Sequence, residues 1–142
     1  MAIPNYQEIM LPLLEFLGDQ DEHSLRETCS ALAEHFGLSE EERRRLLPSG
    51  QQDVLRNRVS WARTYLKKAE LLEPTRRGYF RITDRGVAVL ARKPERIDND
   101  FLDQFEEFRE WRTVKREKQA VKESGAAITE ETTPEESLEQ AY

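Results

Sequence analysis

The sequence is poor in cysteine, in clustered glycine and in uninterrupted apolar runs, and each shortage removes a class of protein. One cysteine, Cys29, among 142 residues leaves no internal disulfide framework and no cysteine-rich zinc site. The longest apolar run, Ile9 to Leu14, contains Pro12 and is far too short for a membrane span. The N-terminus lacks the basic-then-apolar order of a secretory signal, so a cytoplasmic protein with no membrane partner is expected. The six glycines never gather into a loop that could cradle phosphate. His23 and His35 stand apart in the chain, and Cys29 and His35 are separated by about 240° around their helix, so no shared metal face forms. A basic surplus is missing as well. The 22 Lys and Arg against 28 Asp and Glu leave a net charge of −6, which taken whole argues against a polyanionic partner.

The total conceals an asymmetry. Residues 1–50 carry 4 basic and 10 acidic side chains (−6), residues 51–97 carry 12 and 5 (+7), and residues 98–142 carry 6 and 13 (−7). Charges more than about 8–10 Å apart are largely screened at physiological salt, so a local basic segment matters more to a polyanion than the sum. The competing reading is a solvated basic helix face without a partner. Which applies depends on whether the fold gathers the twelve charges onto one surface.

Local patterns give the elements. Pro4 is read as the first residue of a helix whose apolar face is Tyr6, Ile9, Met10, Leu13 and Leu17, with a kink or break expected at Pro12. Ser24 with Glu27 is a capping box, and Leu25, Cys29, Leu32 and Phe36 follow at helical spacing up to Gly37. Ser39 with Glu42 repeats the signal for a short helix ending at Leu47, acidic in its first turn and basic in its second (Arg43 to Arg45), before a break at Pro48-Ser49-Gly50. From Gln52 to Ala69 runs a longer helix. Leu55, Val59, Ala62, Leu66 and Ala69 lie on its buried stripe, and Asn57, Ser60, Thr64 and Lys68 lie opposite. Leu71–Glu73 and Tyr79–Ile82 then read as two strands around a basic tip at 74–78, and Thr83 caps another helix through Leu90. A charged helix is expected from Asp98, with Phe101, Leu102, Phe105, Phe108 and Trp111 sealing it onto the core.

Three helices, a hairpin and a further helix, with the longest helix directly before the hairpin, is the order of a winged helix-turn-helix. The expected fold is therefore mainly α with a small β-hairpin. It comprises a winged-helix domain over 1–97, a charged amphipathic helix over 98–123 packed on it, and a linker over 124–142 that opens a last helix. The recognition helix is 51–69 and the wing 74–79. That geometry would bring Arg56, Arg58, Arg63, Lys67, Lys68, Arg76 and Arg77 to one side, where B-DNA offers one negative charge per about 1.7 Å of axis. Asn57, Ser60 and Thr64 are short polar groups suited to base edges in a major groove. Trp61 is read either as lying under the wing beside Tyr65 or as stacking on a base. Tyr79 is read as covering the recognition helix, and Arg43 to Arg45 as a solvated helix end.

Winged helices also bind proteins, so two alternatives stand beside DNA targeting. One is a protein-interaction or homodimerising module using the helix at 98–122. The other is a stand-alone DNA-binding regulator. A complete nuclease is the poorest reading. Metal-dependent cleavage of the common restriction type needs Glu or Gln two residues before a Lys. The residues two before Lys67, Lys68, Lys93, Lys115, Lys118 and Lys122 are Tyr65, Leu66, Ala91, Thr113, Arg116 and Ala120. No catalytic residue, metal or cofactor is assigned to the chain alone.

Several separate motifs then fall in a familiar order. Ala2-Ile3-Pro4-Asn5-Tyr6, Met10-Leu11-Pro12-Leu13-Leu14, Glu22-His23-Ser24-Leu25-Arg26-Glu27 and Leu47-Pro48-Ser49-Gly50-Gln51 come first. Asn57-Arg58-Val59, Trp61 to Ala69 and Arg77-Gly78-Tyr79-Phe80-Arg81-Ile82-Thr83 follow. Together they resemble the N-terminal domain of Mrr-type restriction endonucleases over residues 1 to about 102. The resemblance implies a winged-helix domain that binds double-stranded DNA through the 51–68 helix and the 74–79 wing. It also implies a separate nuclease domain, in cis or in trans, that cuts DNA carrying modified bases. Residues 133–142 resemble the helix leading into that nuclease.

Overall fold

The computed structural model of the protein describes residues 3–47, 50 and 52–122. Side-chain caps decide where the helices begin. Asn5 accepts from the Glu8 amide at 2.9 Å, and Glu8 reaches back to the Asn5 amide, which starts α1 at Tyr6–Phe16. Pro4 therefore lies ahead of the cap instead of at the first helical position. The same reciprocal box, Ser24 with Glu27 and Ser39 with Glu42, opens α2 (Leu25–His35) and α3 (Glu40–Arg44). Asp53, Thr83 and Asp98 cap α4 (Val54–Lys68), α5 (Asp84–Ala91) and α6 (Asn99–Leu102), and α7 spans Glu106–Lys122.

Helix α1 continues through Pro12 without a break. A proline in a helix interior costs about 3 kcal/mol, but Ile9, Met10, Leu13, Leu14 and Leu17 are all fully buried around it. Packing of that stripe outweighs the lost hydrogen bond. Helix α3 ends at Arg44, short of Leu47, because Leu46 leaves the helix to bridge Asp53 ahead of α4.

Three antiparallel strands form one small sheet in the order β1 (His23–Ser24), β3 (Tyr79–Ile82), β2 (Leu72–Arg76). The two-residue β1 has no local signature; it exists because Ser24 and His23 pair with Tyr79 and Phe80. Strand β2 is longer than expected and includes Pro74, and a bulge separates Pro74 from Arg76. The turn thus contracts to Arg77-Gly78, where Gly78 takes φ 80°, a left-handed conformation that glycine adopts freely. Phe80 and Ile82 point into the core while Arg81 points out.

Helix α4 lies at the centre, packed on α1 and α2 through Leu55, Val59, Ala62 and Leu66. The charged C-terminal segment divides into α6 and α7 instead of forming one helix. Leu102 and Phe108 are both fully buried, yet on one continuous helix they would point about 120° apart; the break between them lets both reach the core. Asn99 ties α6 to α1 through the Tyr6 hydroxyl (2.9 Å) and Gln7 (2.9 Å). Arg85 ties α5 to α7, donating to Glu107 at 2.9 Å and also to the Ala69 carbonyl that ends α4. That contact holds the Glu107 carboxyl down at about 2. The expected linker and last helix at 124–142 lie outside the described residues.

Candidate nucleic-acid interface

With Leu55, Val59, Ala62 and Leu66 turned inward, rotation about α4 puts Arg56, Ser60, Arg63, Thr64 and Lys67 on an outward arc of about 100°. The C-terminal half of that arc faces the β2–β3 hairpin across a groove of about 290 Å³. Arg63, Thr64 and Lys67 form its helix wall; Arg76, Arg77 and Tyr79 stand on the hairpin side, over a floor that includes Leu72, Pro74 and Phe80. The sheet sets this spacing, because β3 is anchored on one side by β1 and on the other by β2.

Each cation is held differently. Arg56, Lys67 and Arg77 are exposed. Arg63 is half-buried, its guanidinium 5.7 Å from the Phe80 ring centroid and 3.4 Å from the Ser60 hydroxyl, to which it donates. Burial lowers its pKa from the ordinary arginine value, which leaves it charged at neutral pH. Arg76 lies over the Tyr79 ring at 3.9 Å and pairs with Glu22 at 2.9 Å. Thr64 donates its hydroxyl to the Ser60 carbonyl at 3.0 Å, so its oxygen lone pairs remain to accept from a ligand.

Three residues expected at the interface sit elsewhere, and a fourth, Lys68, is shared between the groove and α7. Asn57 is 2% exposed and donates to Gln52 at 3.2 Å, because the segment entering α4 covers its side of the helix. Arg58 donates to the carbonyls of Ile3 (2.8 Å) and Pro4 (3.2 Å), holding the N-terminal segment against α4. Trp61 is half-buried and meets Tyr65 edge-on (6.4 Å, 78°), on the flank of α4 away from the groove-lining Arg63 and Phe80. Lys68 touches the groove but places its ammonium 5.8 Å from the Trp111 ring. Of the eleven residues expected, the groove and its helical extension therefore gather Arg56, Ser60, Arg63, Thr64, Lys67, Lys68, Arg76 and Arg77.

Two neighbours escaped sequence reasoning. Glu22 faces Arg76 from far along the chain, and no local pattern links them. Cys29 lies beneath α4 near Arg56 and Arg63; burial, then Asp53, push its thiol up to about 11 while the two arginines pull the other way. A thiol with that pKa is protonated at neutral pH and is no nucleophile. Among the described residues no cluster of His, Cys, Asp or Glu is arranged to hold a metal ion, and no helix is long and apolar enough to cross a membrane.

Similarity to known proteins follows the same boundaries. A family model described as the Mrr N-terminal domain matches residues 6–92, from the start of α1 to the residue after α5. The chain is also similar to the type IV methyl-directed restriction enzyme EcoKMrr of Escherichia coli, 32% identical over 96 residues. That alignment covers 67% of this chain and 31% of the enzyme. No solved structure matches. The family match takes in more than half of the chain, with all of α4 and the whole sheet inside it, and this chain belongs to the Mrr N-terminal domain family.

Proposed function

We propose that the chain is a winged-helix module that binds double-stranded DNA, with α4 as recognition helix and the β2–β3 hairpin as wing. It would serve as the targeting domain of a restriction system in the cytoplasm. Cleavage is assigned to a nuclease domain acting in cis or in trans, as the restriction-enzyme relative suggests. The observation that carries the reading is the groove: Arg63 and Lys67 on one wall face Arg76 and Arg77 on the other, in a protein whose net charge is negative.

In this reading Arg56, Arg63, Lys67, Arg76 and Arg77 hold phosphates. Ser60 and Thr64, on the outward arc of α4, supply the base-edge contacts. Asn57, Arg58 and Trp61 act as supports, fixing the helix and its flank, and Lys68 lies at the groove's edge beside Trp111.

Duplex binding measured against salt tests this. Four to five phosphate contacts give a log–log slope of about −3.5 to −4.5. Arg63→Ala with Lys67→Ala should lower affinity at unchanged thermal stability. Absent or salt-independent duplex binding at about 50 mM salt overturns the reading. The interaction-module alternative rests on α7, where Val114 is an exposed apolar side chain. Sedimentation of the full chain at rising concentration decides it: a constant monomer mass removes α7 as a dimer element.

A further inference from the structure

Arg76 is engaged twice in the free protein. Its guanidinium lies 3.9 Å from the Tyr79 ring centroid and its Nε donates to Glu22 Oε1 at 2.9 Å. Tyr79 is on β3 and Glu22 directly precedes β1, so the side chain spans the sheet from β2 across β3 to the strand beyond. Both partners remain open to water, with 61% of the Arg76 side chain and 38% of Glu22 exposed. A pair of this kind is weakly held, whereas a duplex presents closely spaced phosphates of the same charge sign as the carboxylate. Two other acids near Glu22 are committed elsewhere: Glu73 to Arg81 at 2.9 Å, and Asp19 to the Asp21 amide and His23.

We propose that Glu22 is an affinity-setting residue, a built-in competitor that occupies Arg76 where a backbone phosphate sits in the complex. The proposal rests on the DNA-binding reading above. Tyr79 keeps the guanidinium over its ring during the exchange, so the cation is positioned before DNA arrives. Arg76 consequently adds less to affinity than its charge would provide, and non-specific attraction to the wing is restrained.

A double-mutant cycle tests this: the parent chain, Glu22→Gln, Arg76→Gln and the double variant, titrated with one duplex at one salt concentration. Far-UV circular dichroism verifies that each remains folded. Glu22→Gln should tighten binding by about two- to fivefold in the parent and by less than about 1.5-fold when Arg76 is already glutamine. Equal tightening in both backgrounds overturns the proposal, since Glu22 would then be only a negative charge near DNA. No tightening in the parent background also overturns it, while duplex binding by the parent leaves the DNA-binding reading standing. A parent chain that binds no duplex overturns both.

Discussion

Gly86 has no room for a methyl group. A Cβ there would run into the Leu71 carbonyl oxygen and come within 2.6 Å of Ile82 Cγ1, so its small size is what lets α5 seat against the sheet. Alanine normally stabilises a helix interior by about 1 kcal/mol over glycine, but here overpacking should win. Gly86→Ala is expected to lower stability by about 1–3 kcal/mol in urea unfolding; an unchanged or higher midpoint would mean that α5 slides to accommodate it. His23 offers a second residue-level test. It is 8% exposed, stacks on Phe16 at 4.6 Å, and lies between Asp19 at 2.8 Å and Glu27 at 3.1 Å. Burial works against its charge, but the hydrogen bonds and charges of Asp19 and Glu27 outweigh that and raise its pKa above the usual imidazole value. A raised folded-state pKa adds stability that is fully present below about pH 6.5 and is lost as pH climbs through the folded value. Unfolding free energy should therefore decline from about pH 6.5 upward in the parent and decline less in His23→Gln; parallel curves would remove the clamp as its source.

At the scale of elements, α7 supports α4 from behind. Tyr65 of α4 rests between Phe108 (5.8 Å) and Trp111 (5.0 Å) and also meets Tyr6 of α1 at 5.0 Å. Phe108→Ala should cost about 3–5 kcal/mol in denaturant unfolding, because it opens a void beneath α4 instead of trimming an exposed helix. A loss below about 1 kcal/mol would show α7 to be a passive appendage. This support is only partly legible in the sequence. The starts at Ser24, Ser39 and Thr83 are visible because a cap is local, and the buried stripe of α4 is visible because its period is local. The division of α6 from α7 depends on Leu102 and Phe108 sharing a core built by α1 and α4, and β1 depends on a strand more than fifty residues away. The outward angle of Asn57 on α4 is right, yet the side chain is buried, because its burial is decided by the segment preceding the helix. Arg58 and Lys68 are legible as cations but not as cations already engaged, for the same reason.

At the scale of the molecule, position of charge counts for more than its sum. Arg44 lies on α3 and pairs with Glu40 of the same helix at 3.6 Å, while Lys67 lines the groove among Arg63, Arg76 and Arg77. Neutralising either changes the net charge equally. Lys67→Gln should weaken duplex binding severalfold, and Arg44→Gln should change it by less than about twofold. Equal losses would mean that DNA responds to the overall field instead of the groove.

Among the described residues the sheet that carries the hairpin also has two unpaired margins, and both are poor templates for another strand. One margin is β1, only two residues long. The other is β2, where Pro74 supplies no N–H to an incoming chain and the adjacent bulge interrupts the regular repeat of backbone donors and acceptors. A protein that must present an extended, exposed hairpin to solvent is thereby guarded against edge-to-edge polymerisation. Replacing Pro74 would put that guard at risk together with the groove floor it helps to form.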